Sequence, residues 1–373
     1  MPLPTQADLA AAPLSIVVFG PGFGESIALR VADEQSTRWA VIDSARRQRK
    51  PAGSINPALK LLADHQAVPS LVLLTHPHTD HTGGLSEIVA LTQPGATVGC
   101  LEPLMHAPSP YAAAADPDDK AAVARGQTHL AHQAVEDAWG RGVARWPLHR
   151  DTAHQEIADW TITVVSPPED AINAAMDDFA AGAHVNLNDL SAVLLIERED
   201  VVVVLGADAE QAAWSAVSVR LHPGDLLQAR GVKVPHHGST TGIHAVLIDA
   251  NNANEVRPLV ATPFPTSGTL PRFDAGGGAE QLLRAAGRLH LTAMPHELVA
   301  VAGTATLTDI RAALAIETFE DDAIMTIELD EPAGSEVLVA LSRDPQETWV
   351  MLGVEHDGAV HVTRGDHALT ITA

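Results

Sequence analysis

Cysteine is all but missing, with Cys100 the single one among 373 residues. No internal disulfide can form, which fits a reducing compartment. Aromatic side chains make up 3% of the chain and tyrosine occurs once. The loops therefore lack the aromatic-interleaved basic platform on which single-stranded nucleic acid stacks. Positive charge is scarce as well, 23 Lys and Arg against 47 Asp and Glu, for a formal net charge of −24. Such a surface repels nucleic acid and anionic membrane at long range, so a polyanionic substrate needs a local basic patch or bound metal to be captured. No apolar run approaches a membrane span. The first ten residues, M-P-L-P-T-Q-A-D-L-A, carry neither a basic n-region nor an apolar h-region. A soluble, cytoplasmic protein with no membrane partner is expected.

What the chain does have is a large apolar fraction, 46%, and one stretch dense in potential ligands. Its length suits one large α/β domain and an appendage. Leu71 to Leu85 reads L-V-L-L-T-H-P-H-T-D-H-T-G-G-L. Four aliphatic residues in a row predict a strand covered on both faces. Residues two apart in extended chain point the same way, so His76 and His78 can grip one ion from one side. A helix starting after them would offer Asp80 and His81 to a neighbouring position. Imidazole and carboxylate without thiolate suit zinc, manganese or iron better than calcium or magnesium.

T-H-x-H-x-D-H after an apolar strand resembles the signature of the metallo-β-lactamase superfamily, a two-metal hydrolase fold. The resemblance spans about Leu14 to Ala293 and implies an α/β fold, an αββα sandwich. Two further runs support it. N-L-N-D-L-S-A-V-L-L-I-E followed by V-V-V-V-L-G-A-D predicts two adjacent strands. The family's bridging carboxylate then falls on Asp208, in G-A-D where G-D is usual. The histidine that normally completes the first metal site is missing. Asn188, Asp189 or His184 is left to replace it, or that ion is held weakly. V-K-V-P-H-H-G-S-T-T, from Val232 to Thr241, predicts a short strand ending in two histidines. Only one of them can face a given ion if the backbone is extended, and the reading favours His236 as ligand with His237 as proton carrier or substrate contact. Lys233 is expected at an exposed edge. Both runs are similar to the hydrolase domains of bacterial competence DNA-uptake channels, and the element order is similar to metallo-β-lactamase-fold effectors of anti-phage defence.

Elsewhere, G-P-G-F-G-E-S between two strands predicts a hairpin. W-A-V-I-D places Asp43 at a strand end, where the resemblance implies a role orienting a metal ligand. Arg46, Arg47, Arg49 and Lys50 follow as a basic cluster in an acidic chain. After Pro295 short apolar segments with turns, among them Asp357-Gly358, predict a small antiparallel β module over 296–373, apart from the hydrolase domain over 1–295. That module is expected to cover a sheet edge or to meet a second copy or a partner protein.

The expected centre thus has two divalent transition ions, Zn2+ or Mn2+, on His76, His78, Asp80, His81, Asp208 and His236, with Asp80 or His237 managing the proton. The expected reaction is hydrolysis, foremost of phosphodiester bonds in a nucleic acid or nucleotide. An amide, lactone or thioester is the second reading, and a sensor or scaffold with a degraded first site is the third.

Overall fold

The computed structural model describes residues 3–46 except 23 and 35, 56–105, 120–218 except 151, 229–247, 257–264, 270–273, 277–293, 304–306, 308–310, and 349–372 except 366 and 367. Strands dominate. β1 (Leu14–Gly22), β2 (Gly24–Ala32), β3 (Thr37–Ile42), β4 (Leu71–Leu73), β5 (Thr97–Cys100) and β6 (Ala144–Pro147) belong to a first sheet. β7 (Gln155–Ile157), β8 (Trp160–Ser166), β9 (Val193–Arg198), β10 (Val201–Leu205), β11 (Gly231–Lys233), β12 (Leu259–Ala261), β13 (Arg288–Leu291) and β14 (Thr304–Thr306) belong to a second. β15 (Trp349–Val354) and β16 (Val360–Arg364) return to the first sheet, and β17 (Leu369–Thr372) joins the second.

The order is β16-β15-β1-β2-β3-β4-β5-β6 in one sheet and β14-β17-β13-β12-β11-β10-β9-β8-β7 in the other. Each sheet is mixed. β3 to β6 run parallel, as do β10 to β13. Parallel strands buried on both faces read as continuous aliphatic runs, which is why L-V-L-L and V-V-V-V are legible as strands without alternation.

Three apolar layers hold the stack together. Ile16, Val18, Ile27 and Leu29 of the first sheet meet Trp160, Ile162, Leu194 and Val203 of the second in the central one. The outer face of the first sheet packs on Leu61, Leu85, Ile88 and Val135 of its helices. On the second sheet, Trp214, Val217, Leu282 and Leu283 do the same. Helix, sheet, sheet, helix is the αββα sandwich.

Helix boundaries follow local chemistry. Pro57–Asp64 starts on Asn56, whose side chain accepts from the Leu59 amide, with Pro57 in the first turn. Gly278–Ala286 ends on Gly287 at φ 69.

The C-terminal strands correct one expectation. β15 pairs along β1 from Leu14↔Val354 to Phe19↔Trp349, and β17 pairs with β13 in the second sheet. The described strands after residue 296 are built into both sheets and do not make a sheet of their own. Asp357-Gly358 does turn the β15–β16 hairpin, with Gly358 at φ 82. Two of the short apolar segments of that module, at 325–329 and 335–341, lie outside the described residues.

Candidate metal centre

The site forms where parallel strands of both sheets end, the usual place for a ligand in such a layer. β4 runs out at Leu73, and the chain then turns through Thr75 and His76 into a short helix, Thr79–Thr82. Gly24, at φ 110 in the β1–β2 hairpin, packs against this turn so closely that a Cβ would lie 1.6 Å from the Asp80 carbonyl oxygen. Only glycine fits there.

Asp43 organises the turn from below. It is fully buried at φ 55. Its carboxylate accepts from the Thr75 amide at 2.8 Å and the Thr75 hydroxyl at 2.6 Å, and His81 Nδ1 lies 2.7 Å away. With Nδ1 given to Asp43, Nε2 of His81 points into the centre. An orienting carboxylate behind a ligand histidine is what a metal site needs.

Four residues converge there. One ligand atom each from Asp80, His81, Asp208 and His237 all lie within 4.8 Å of one another. His81 Nε2 is 3.3 Å from Asp208 Oδ2, and His237 Nε2 is 3.6 Å from both Asp80 Oδ2 and Asp208 Oδ2. His81 Nε2, Asp208 Oδ1 and His237 Nε2 are buried without a hydrogen-bond partner. Leaving buried polar atoms unpaired costs about 1–3 kcal/mol each, a cost that a bound cation removes. His76 and His78 stand beside this group, Nε2 of one 3.0 Å from Nδ1 of the other, and the His76 ring lies 4.2 Å from that of His81. The donor set fits a divalent transition ion.

Backbone strain gathers at the same place. Asp43, Ala207, His236 and His237 are four of the seven non-glycine residues with positive φ among those described. Each such conformation costs of order 1–3 kcal/mol and persists only where its surroundings impose it.

The two adjacent histidines reverse the expected assignment. Both are left-handed, at φ 45 and 52, so the chain is not extended and the alternation argument does not hold. His237 faces Asp80 and Asp208, while its Nδ1 lies 2.9 Å from both the carbonyl and hydroxyl oxygens of Thr262. His236 turns to the rim, where Nδ1 meets Glu210 at 2.9 Å.

Of the three candidates to replace the missing histidine, Asn188 is the most buried. It is 9% exposed, its Nδ2 donates to Glu210 at 3.2 Å, and its Oδ1 is buried without a partner. Asp189 bonds Asn186 instead, and His184 is exposed. Lys233, expected at an edge, is fully buried and paired with Glu25. Of the basic cluster, Arg46 pairs with Glu87 at 2.6 Å; Arg47, Arg49 and Lys50 lie outside the described residues.

Charges within the centre lean on one another. Burial favours neutral His81, but Asp208, Asp43 and Asp80 outweigh it and hold its pKa well above 6.5. Burial, helped by His81 and His78, keeps His76 well below 6.5. Burial opposes ionisation of Asp208, yet His81 and His237 depress its pKa well below the ordinary value. Asp80 is lowered likewise, against its burial, by His81 and His237.

Glu25, Thr262 and Glu210 were not visible as site residues in the sequence. The one local signal is a lysine between valines in V-K-V, since a charge in a buried strand requires a partner.

The description "Metallo-beta-lactamase superfamily" matches residues 20–250, and the chain belongs to that superfamily of metal-dependent hydrolases. Similar solved structures include Zn2+-bound PqqB from Methylobacterium extorquens, 14% identical over 55% of this chain and 58% of that one, TM-score 0.31. A diphosphatase of the PhnP family is 11% identical over 59% and 73%, TM-score 0.31. Rm3 metallo-beta-lactamase is 16% identical over 52% and 60%, TM-score 0.27. The match spans less than two thirds of the PqqB and Rm3 chains. No curated protein matches significantly. No described helix is long and apolar enough to cross a membrane.

Proposed function

We propose that the chain is a phosphodiesterase that hydrolyses small phosphodiesters, such as a cyclic or linear dinucleotide, with two divalent ions, Zn2+ or Mn2+. The observation that carries this reading is the inward convergence of the unpaired buried atoms of His81, Asp208 and His237. His76 and His78 with Asn188 would hold one ion, Asp80, His81 and His237 the other, and Asp208 would serve both. When bound, such ions acidify water near neutral pH and neutralise charge on the phosphoryl oxygens. Two divalent charges against the carboxylates of Asp80 and Asp208 leave the centre positive, which suits an anionic ester over a neutral amide. Both nitrogens of His237 are committed, Nδ1 to Thr262 and Nε2 to the centre. Asp80, held ionised by its neighbours, is therefore the group that accepts the proton of the attacking water.

Small size follows from the surroundings. Glu210 and Asp189 flank Asn188 with negative charge, the chain carries −24 overall, and Arg46 is committed to Glu87. A long polyanion meets repulsion from these carboxylates and from the overall charge. The resemblance of V-K-V-P-H-H-G-S to competence hydrolases, and of the element order to defence effectors, favours phosphodiester chemistry in this proposal, with single-stranded or duplex DNA the larger substrate to exclude. The same acidic rim favours a second reading, a neutral lactone or amide. One panel decides: a cyclic dinucleotide, a chromogenic phosphodiester, single-stranded and duplex DNA and a chromogenic lactam, each with Mn2+ or Zn2+. Turnover of the small diesters well above DNA and lactam is expected. Turnover of the lactam alone would overturn the proposal.

A further inference from the structure

Behind the four converging residues lies a buried ion pair that none of the ligand assignments uses. Lys233 ends β11 with no exposure, and Glu25, second residue of β2, is 1% exposed. The two side chains are in contact. Lys233 Nζ also donates to the Ala207 carbonyl at 3.0 Å. Glu25 Oε2 accepts from the Thr262 hydroxyl at 3.3 Å, and Thr262 in turn meets His237 Nδ1. Stability does not account for the pair, because desolvating two charges consumes most of their attraction and apolar residues of similar volume often serve a core as well. Its position does account for it: one end reaches the residue before Asp208, the other the outer face of His237.

We infer that Glu25 and Lys233 are positioning residues of the metal centre, one buried ion pair that orients two ligands carried by separate segments of the second sheet. The inference rests on the metal-centre reading. On the lysine side, the ammonium fixes the carbonyl of Ala207, a residue at φ 45, at the bend that sends Asp208 inward. On the glutamate side, the carboxylate takes the single proton of the Thr262 hydroxyl. That oxygen can then only accept from His237, as can the Thr262 carbonyl. The hydrogen is therefore held on Nδ1 of His237, and Nε2 faces Asp80 and Asp208 bare. Asp43 does the same for His81 in one step; here the carboxylate acts through a hydroxyl.

The test replaces the pair by apolar residues in the full chain, Glu25→Leu with Lys233→Met, and separately cuts the glutamate side alone with Thr262→Val. Supporting partners of metal ligands are worth about 10–100-fold in metal affinity. The paired exchange is expected to fold cooperatively yet bind Zn2+ 10–100-fold more weakly, and Thr262→Val to lose several-fold. Ring-nitrogen NMR of the metal-free chain adds a readout that a merely structural role would not move. His237 in the wild type should carry its hydrogen on Nδ1, and in either variant the Nε2–H form should gain population. Wild-type affinity together with a wild-type His237 tautomer in the variants would overturn the inference. If the paired exchange does not fold, Thr262→Val decides by the same two readouts. A wild type that binds neither Zn2+ nor Mn2+ would sink the metal-centre reading instead, and the tautomer of His237 would still test the glutamate side.

Discussion

Asp43 touches one of the first sheet's ligands itself, taking the His81 ring together with the Thr75 amide and hydroxyl on one carboxylate within 2.6–2.8 Å. On the second sheet's side no carboxylate among the described residues reaches the outer face of a ligand. His237 leans on Thr262, the residue before Asp208 on Lys233, and these supports meet in Glu25. The difference follows from connectivity. His76 to His81 sit on one turn after one strand, beside the end of the adjacent parallel strand β3, so a single residue at that end reaches both Thr75 at the start of the turn and His81. Asp208 and His237 follow different strands, β10 and β11, and a third, β12, ends beside them at Thr262. A concentrated support fails at one substitution, whereas a dispersed one loosens by degrees.

The largest effect should come from the concentrated support. Asp43→Ala leaves three buried donors without an acceptor, at about 1–3 kcal/mol for each. A loss of about 3–5 kcal/mol in urea unfolding of the metal-free chain is expected, together with loss of bound metal. Asp43→Asn separates the two. Its Oδ1 can still take the Thr75 amide, and asparagine tolerates φ 55, but its amide hydrogens face His81 Nδ1 and favour the wrong tautomer. That variant should stay folded and bind metal about 10–100-fold more weakly. A loss below about 1 kcal/mol in the alanine variant would remove Asp43 from its place in the comparison.

Replacing His76 and His78 together with Ala tests whether the two groups of ligands act separately. Metal analysis after dialysis should fall from two ions per chain to one, with the remaining ion on Asp80, His81, Asp208 and His237. Full retention of both would show that the H-P-H pair is not ligating.

Much of this was legible in the sequence, for a reason of range. Candidate ligands packed into six residues after an apolar strand are conspicuous, and so is a strand ending in Asp, so His76–His81 and Asp43 could be named from the sequence. The sandwich was legible because buried parallel strands read as aliphatic runs. Three things were hidden. The His236–His237 assignment required knowing that both adopt positive φ, which the sequence G-S-T-T after them does not reveal. Glu25 and Lys233 are far apart in the chain and meet only when β2 and β11 are brought face to face. The placing of β15 against β1 is a long-range pairing with no local marker.

The two groups of ligands should also respond differently to acid. His76 and His78 are held below their usual 6.5, so they are already neutral near neutral pH and metal has no proton to displace from them. His81 is held above 6.5, and a metal ion must expel its proton. In the His76→Ala, His78→Ala variant, Zn2+ affinity should therefore rise about tenfold per pH unit through 6.5 and continue above it. Calorimetry in several buffers would read the released proton directly. An affinity that levels off below 6.5 would contradict the state assigned to His81.

The smallest effect belongs to the rim, where Glu210 pairs with His236 and also accepts from Asn188. Burial raises the Glu210 pKa, but the bond and charge of His236, with Asn188 and Asn186, bring it down to about 2 from 4.5. A depressed carboxylate adds stability above its unfolded value and loses it as pH falls from 4.5 toward 2. His236 has the opposite sign. Burial lowers its pKa, but Glu210 and Asp208 raise it above 6.5, so its share is present below 6.5 and fades as pH climbs through the raised value. The two windows overlap between 4.5 and 6.5. Glu210→Gln should cost about 1 kcal/mol there, the scale of a partly exposed pair, and less on either side. Because Gln keeps an oxygen for the Asn188 amide, metal affinity should change by less than about threefold, far below the effect of a lost supporting partner. Unfolding at pH 3, 5.5 and 9 with a Zn2+ titration at pH 7 checks both. A flat stability difference across those three pH values would dissolve the ion pair, and a tenfold loss of Zn2+ affinity would move Glu210 from the rim into the centre's own support.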